Sequence, residues 1–234
     1  WPSLTYGVLP LTIMILVVIA SLIGYSLATA NLEGTRSRTI DRKLSENALR
    51  VSSIFDSYAH LLWGSTGKLE SSSTDMKSWE QFIAVYDIQK NFTGLEAIGV
   101  TLGNDTNNSK ITYIAPNTSV TNRWLGDNLS SDPKIASTLS GAARNGQATL
   151  TDAYSNLLAT KESNDTSTGG FYMLAPFYDS TKPHSTPDSR QKALGGFSVA
   201  IFRGDVFFSQ AFRDADLSHT KISVYLGKPS AENL

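Results

Sequence analysis

The first 32 residues carry no charged side chain, and no other feature of the sequence constrains the fold as strongly. Their centre, residues 8–27, reads VLPLTIMILVVIASLIGYSL. An α-helix rises ~1.5 Å per residue, so about twenty apolar residues cross the hydrocarbon core of a bilayer once. Everything after Glu33 is polar and mixed in charge. The pattern predicts a transmembrane anchor over residues 4–30 and a water-facing body beyond it.

The direction in which the anchor is inserted does not follow from the visible charges. The densest group of basic residues follows the apolar run and consists of Arg36, Arg38, Arg42 and Lys43. Basic residues usually stay on the cytoplasmic side, which taken alone would place the body inside the cell. The small residues at 28–30, Ala-Thr-Ala, also match a signal-peptidase site, but the length of the apolar run favours an uncleaved anchor.

The size and composition of the body favour one folded domain and exclude several classes of site. About two hundred residues suffice for one core but are few for two. A net charge of −1 and a pI near 6.3 give no support for a nucleic-acid partner. The chain has no cysteine, which excludes disulfides, zinc–thiolate sites and a cysteine nucleophile.

A regular apolar seam follows the anchor. Its positions are spaced four, three, four, three and four residues apart and comprise Leu44, Ala48, Val51, Phe55, Tyr58 and Leu62. No proline interrupts residues 31–75, so we predict one long helical stalk over that range. The seam fits two arrangements: a coiled coil that makes the chain a homodimer, or an amphipathic helix packed on its own domain. The spacing leaves both open.

The remaining body, residues 76–230, reads as an α+β domain. Clustered apolar residues predict a helix over 77–90, a helix from Asp132-Pro133 to about Arg144, and a short helix over 205–212. Residues 179–193 are predicted to form an exposed loop. Runs rich in aromatic and β-branched residues predict six strands, at 95–102, 110–115, 148–154, 171–178, 195–202 and 221–226. Together these elements predict an antiparallel sheet with helices laid on it.

Signatures of catalysis are absent from the sequence. It has no P-loop, no Gly-x-Gly-x-x-Gly, no His-Glu-x-x-His and no Gly-x-Ser-x-Gly. The three histidines, His60, His184 and His219, fall on the stalk, in the loop and in a polar turn. We therefore expect no metal site, no cofactor and no catalysis from this chain, although a hydrolase site assembled in space from Ser and Asp remains an alternative.

Four segments occur in an order that resembles the CHASE family, the extracytoplasmic sensory domains of membrane histidine kinases and nucleotide cyclases. They are the stretch NRWLGDNLSSDP at 122–133 with the helix after it, ATLT at 148–151, GFYMLAPFY at 170–178 and GGFSVA at 195–200. The resemblance covers roughly residues 76–228. It extends to NFTGLEAIG at 91–99, where Thr93 stands at a position usually held by proline.

The resemblance implies a PAS-like fold behind the stalk, with a small-molecule ligand held between the sheet and its loops. Cytokinin receptors of the family use an aspartate that corresponds to Asp127 to hydrogen-bond their ligand. The alternative for Asp127 is a purely local role, accepting backbone amides in its loop. Further candidate lining residues on the strands are Tyr113, Leu150, Thr151, Phe171, Met173 and Leu174. Alternation along a strand places Phe171 and Met173 opposite Leu174, so not all of them can line one cavity.

The sequence thus predicts a ligand sensor anchored in the plasma or inner membrane by one visible span, with its body outside the cell. Ligand binding would be passed through the stalk to a histidine kinase or a cyclase such as a diguanylate cyclase, neither of which is part of this chain. Two alternatives remain: an anchored or secreted hydrolase, and a non-binding structural ectodomain that dimerises through the stalk.

Overall fold

A computed structural model describes residues 42–43, 45–71, 75–152 and 169–213. The predicted anchor at 4–30 and the predicted strand at 221–226 lie outside these residues. Within them, no helix combines the length and apolar character needed to cross a membrane. The chain divides into two compact units, Trp1–Arg50 and Val51–Leu234. In the first unit, residues 42–43 and 45–50 are helical, with an exposed ion pair of 3.6 Å between Arg42 Nε and Glu46 Oε1.

Helix α1 is the helical segment 51–71, which begins the second unit and continues through both Gly64 and Gly67. Tyr58 and Leu62, two positions of the predicted seam, are buried in the core of the same chain. With Phe55, which packs against the same core, these seam positions fit the second of the two arrangements, an amphipathic helix packed on its own domain. A homodimer, if formed through α1, would have to use its other face.

The predicted helix over 77–90 is in fact two helices. Helix α2 spans Met76–Val85 and begins at Asp75, whose carboxylate accepts a hydrogen bond from Ser78 N at 3.1 Å. Helix α3 spans Ile88–Asn91. Between them Asp87 adopts a left-handed conformation with φ 44°, which no continuous right-handed helix can contain. Apolar periodicity continued across this break, so the sequence pattern did not reveal it.

Among the described residues, five antiparallel strands form one sheet in the order β2-β1-β5-β4-β3. The strands are β1 Leu95–Leu102, β2 Ile111–Ala115, β3 Thr149–Leu150, β4 Gly170–Tyr178 and β5 Leu194–Arg203. Four of them match the predicted strands to within one residue at each end. The exception is β3, which has two residues and pairs only with Met173 and Leu174. From residue 175 onward β4 is therefore an edge among the described strands.

The helix predicted after Asp132 is confirmed as α4, Pro133–Asn145. The Asp132 carboxylate accepts hydrogen bonds from Lys134 N at 2.7 Å and Ile135 N at 3.4 Å, and Gly146 ends the helix with φ 68°.

The predicted loop at 179–193 is wrong in its last part, where helix α5 spans Pro187–Ala193. Thr186 and Ser189 form a capping box with Pro187 at the first turn, a start signal hidden among the polar residues of this segment. The last described helix, α6, spans Gly204–Ala211, one residue earlier than predicted at each end.

The sheet separates two hydrophobic cores. The stalk-side core lies against α1, α2, α3 and α6, and its largest members are Tyr58, Leu62, Trp79, Ile83, Phe171, Phe177, Phe202 and Phe207. The α4-side core lies on the opposite face and includes Trp124, Leu139, Tyr172, Leu174, Phe197, Val199 and Ile201. We refer to the two faces of the sheet as the stalk-side face and the α4-side face.

A buried polar triad joins α1, α2 and β5 within the stalk side of the sheet. Ser65 Oγ accepts a hydrogen bond from Trp79 Nε1 at 2.8 Å and lies 2.8 Å from Ser198 Oγ. All three side chains are almost inaccessible to water. The burial of these polar atoms is tolerated because each has a partner.

We predict that Ser65→Ala lowers the free energy of unfolding by about 3 kcal/mol, because it strands the indole N–H and the Ser198 hydroxyl in the core. The matched control is Ser57→Ala, which removes an exposed hydroxyl bonded only to Ser53 O within the same helix. Its effect should stay within about 0.5 kcal/mol. Urea unfolding of both variants, followed by tryptophan fluorescence, measures the difference; equal values for the two variants would contradict the role given to Ser65.

A second prediction concerns alkaline pH. Burial raises the pKa of Tyr58 from about 10 to about 12, and its hydroxyl donates to Thr93 O at 2.8 Å. Below pH 10 the folded and unfolded chains both keep this proton, but between pH 10 and 12 only the unfolded chain loses it, so stability should fall over that range. Tyr58→Phe should make the fall shallower. An unchanged slope in unfolding experiments between pH 9 and pH 12 would show that Tyr58 is not responsible.

Candidate functional site

Helix α4 lies along the α4-side face of the sheet: Lys134 at its start forms an ion pair of 3.6 Å with Asp152, just after β3, and its last turn lies at the end of β4. There Tyr178 is buried and its hydroxyl donates to Ala143 O, in the last turns of α4, at 2.8 Å. The opposite end of the same face carries polar side chains. Tyr172 and Arg203 lie at that end, on β4 and β5, where Gly170 pairs with Arg203 and Tyr172 pairs with Ile201.

Four polar residues form what we call the arginine cluster: Glu96, Arg123, Tyr172 and Arg203. Arg203 Nε lies 3.1 Å from Glu96 Oε1, and the two side chains are 35% and 20% exposed. Glu96 stands at an irregularity in the pairing of β1 with β5, between Leu95 and Ala97. Such a bulge redirects a side chain from the regular alternation, and here it brings a carboxylate beside the end of the neighbouring strand.

Arg123 enters the cluster from the loop between β2 and α4. It belongs to a short 3₁₀ helix, Thr121–Trp124, and its guanidinium lies 4.2 Å from the centre of the Trp124 ring. Trp124 is buried in the α4-side core and so fixes the position of its neighbour. Burial lowers the pKa of Arg123; Arg203 lowers it further, while Glu96 and Tyr172 act in the opposite direction. The four side chains therefore share one electrostatic environment, in which Arg123 remains charged at any physiological pH.

Thr151 is the predicted site residue that the fold brings beside this cluster. Its backbone N–H donates to Tyr172 O at 2.9 Å, and its hydroxyl accepts from Tyr172 N at 3.0 Å and donates to Asp152 O at 3.0 Å. Because the hydroxyl is engaged twice, its evident structural task is to hold the edge of β4 in place.

Asp127 lies in the loop before α4. Two backbone hydrogen bonds fasten this loop to β2, from Ile111 N to Asp127 O at 3.0 Å and from Gly126 N to Ile111 O at 2.8 Å. The residue is exposed overall, yet partial burial raises the pKa of its carboxyl group. Among the described residues this carboxylate accepts no hydrogen bond, whereas the neighbouring Asn128 caps Ser130 N at 3.2 Å. A purely local capping role is therefore filled by Asn128 and not by Asp127.

The other predicted lining residues are divided between the two cores. Phe171 and Met173 belong to the stalk-side core, and Tyr113 and Leu150 pack against it. Leu174 belongs to the α4-side core. The division follows from the two-residue period of a strand. The fold does not bring the predicted set together as one site.

Sequence reasoning missed all four members of the arginine cluster. Glu96 and Arg203 are about a hundred positions apart in the chain and meet only because β1 pairs with β5. The one local signal was Arg123 beside Trp124, which sequence reasoning included in a family motif without giving Arg123 a role. The described residues contain no group of three or more His, Cys, Asp or Glu side chains arranged to hold a metal ion.

Comparison with known proteins gives one family match. Residues 102–234, more than half of the chain, match the model of the CHASE domain family. No curated protein matches.

A solved structure to which this chain is similar is the ligand-binding domain of the amino acid chemoreceptor PctC of Pseudomonas aeruginosa PAO1, in complex with GABA. It shares 11% sequence identity with this chain over 71% of this chain and 63% of that one, with a TM-score of 0.44. The chain thus spans less than two thirds of that domain.

The stretch before α4 and the strands β4 and β5, which suggested the family from sequence, lie inside the matched region, whereas the segment at 91–99 lies before it. The chain belongs to the CHASE domain family of extracytoplasmic sensory domains.

Proposed function

We propose that this chain is the sensing part of a membrane receptor and that it binds a small carboxylate at the arginine cluster. The observation that carries the proposal is the pairing of Arg203 with Glu96 at 3.1 Å while Arg123 lies in the same electrostatic environment. Family membership supports a sensory role, and this geometry supports the class of ligand.

Two guanidinium groups and one carboxylate form a site suited to an anion. Packing like charges together is costly, as the effect of Arg203 on the pKa of Arg123 shows. A bound carboxylate would offset that cost and would accept paired N–H bonds from the planar fork of an arginine. The partial burial of the site strengthens these bonds relative to a fully exposed pair.

The position of Arg203 offers a way to report binding. Arg203 ends β5 and is also the residue from which α6 begins. Four residues later, Phe207 packs against two side chains of α1, with ring centres 4.7 Å from Phe55 and 5.7 Å from Tyr58. A ligand that draws Arg203 away from Glu96 would act on α6, and through Phe207 on α1. Signalling then requires two arrangements of these helices that differ in ligand affinity.

The proposal also includes the membrane anchor and the output enzyme that the sequence predicts. Residues 4–30 would anchor the chain in the plasma or inner membrane with the sensor outside, and the stalk would pass the change to a histidine kinase or a nucleotide cyclase. Homodimerisation through the stalk is part of this proposal. Leu49, in the helical segment 45–50, is strongly exposed, so an apolar side chain is present for such a contact.

We predict that Arg123→Gln weakens the binding of a small carboxylate at least about tenfold, because the neutral amide keeps much of the side-chain volume but loses the charge. Calorimetric titration of the 234-residue chain with a panel of carboxylic acids, each paired with its amide, measures this. The acids should bind and the amides should not. The matched control is Arg144→Gln, which removes an exposed arginine paired with Asp188 on α5. Acids that bind both variants as they bind the parent chain would contradict the proposal.

A separate prediction concerns Asp127, which we propose as an acceptor for an N–H group of the ligand. Asp127→Ala should weaken the binding of an N–H-bearing ligand several-fold without lowering the melting temperature, since this carboxylate supports no hydrogen bond among the described residues. Asp56→Ala, on the exposed face of α1, serves as the control. If affinity is the same in both variants, Asp127 does not touch the ligand.

A further inference from the structure

A hollow of about 370 Å³ lies at the other end of β4 from the arginine cluster, between α1, the end of α4 and the segment before and within α5. Its floor is Tyr178, and Trp63, Gly67, Glu70, His184 and Arg190 contribute to its walls. Tyr178 and Tyr172 are six residues apart on one strand, so at ~3.3 Å per residue the hollow lies roughly 20 Å from the arginine cluster. The two sites are therefore separate.

Charges of opposite sign flank the floor of this hollow. Glu70 Oε1 accepts the backbone N–H of Tyr178 at 2.9 Å, which fixes the carboxylate at the edge of β4. Arg190 Nε donates to Arg144 O, a carbonyl at the end of α4, at 2.8 Å. Both charges influence the Tyr178 hydroxyl, whose pKa is raised to about 12 mainly by burial: Arg190 lowers it and Glu70 raises it.

The guanidinium of Arg190 is held in place before any ligand arrives. Its stem lies against Gly146, where an added Cβ would come within 3.2 Å of Arg190 Cδ. Because Nε is already bonded to Arg144 O, the two terminal nitrogens are the groups left to meet a carboxylate from the hollow. Because the Arg190 side chain is already held in place, it loses little conformational entropy when it binds a ligand.

Aromatic rings complete the hollow. The His184 ring stacks on Tyr178, with centres 5.4 Å apart and planes inclined by 7°, and His184 Nδ1 lies 3.0 Å from Lys182 O. Trp63 on α1 exposes about a third of its surface. A Cβ added at Gly67, on the same helix as Trp63, would meet no atom within 4 Å, so the space beside this glycine is open. Flat aromatic surfaces favour a planar ring as the body of the ligand.

We infer that this hollow is a second ligand site, which takes a zwitterionic amino acid with an aromatic side chain. Arg190 binds the carboxylate, Glu70 binds the ammonium group, and the ring lies among Trp63, Tyr178 and His184. The charges of the ligand complement those of the walls, and its ring matches their shape.

Isothermal titration of the 234-residue chain with four related probes tests this assignment. The probes are L-tryptophan, indole-3-propionate, which lacks the ammonium group, tryptamine, which lacks the carboxylate, and indole, which lacks both. We expect L-tryptophan to bind and each of the others to bind at least about tenfold more weakly.

Substitutions at Arg190 and Glu70 should separate the contributions of these two charged residues to binding. Arg190→Gln should weaken the binding of L-tryptophan and indole-3-propionate but not of tryptamine. Glu70→Gln, whose amide oxygen can still accept from Tyr178 N, should weaken L-tryptophan and tryptamine but not indole-3-propionate. Gly67→Leu should weaken all three by occupying the open space, and it should not destabilise α1, since leucine is a better helix former than glycine.

Lys192→Gln, which removes an exposed cation from the same helix as Arg190, is the control and should leave L-tryptophan binding unchanged. The inference is overturned if L-tryptophan does not bind the parent chain, or if Gly67→Leu or Arg190→Gln binds it as tightly as the parent chain does. Small-carboxylate binding at the arginine cluster is tested separately by Arg123→Gln, so the two proposals fail independently.

Discussion

The fold depends on a sheet that is buried on both faces. All nine residues of β4 are buried, as are eight of the ten in β5, so neither strand has a solvent-facing side. Successive side chains must then serve two different cores, and each residue is committed to one of them by its position alone. The helices on both sides are therefore required for stability, and polar side chains are tolerated only where a strand ends or a partner is at hand.

The same constraint explains which predictions could come from sequence. Strand positions followed from local composition, and the start of α4 followed from Asp132-Pro133, since both signals lie within a few residues. The break at Asp87 was hidden because the apolar pattern continues through it, and α5 was hidden because its residues are polar. Site residues were harder to predict than helices and strands. Phe171 was correctly placed opposite Leu174, but no local pattern shows which polar side chains the fold brings together.

The arginine cluster shows most clearly which part of the site could not be predicted from the sequence. Glu96 and Arg203 are ordinary charged residues at strand ends until strand pairing brings them within 3.1 Å. Their meeting depends on the antiparallel register of β1 and β5 together with one irregularity at Glu96. Gly94, just before β1, has φ 87°, and a Cβ there would lie 2.7 Å from the backbone of Phe207. The start of β1 and the helix α6 are thus in close contact next to Arg203, the residue from which α6 begins.

Among the described strands, none pairs with the last residues of β4 on the side of β3, although these residues are buried. Two features deal with the N–H groups on that side. Pro176 offers no N–H to an approaching strand, and the N–H of Tyr178 is already bonded to Glu70. An unpaired strand edge is a template to which another chain can add a strand. A proline and one carboxylate from α1 thereby discourage aggregation at the place where the sheet would otherwise accept another chain.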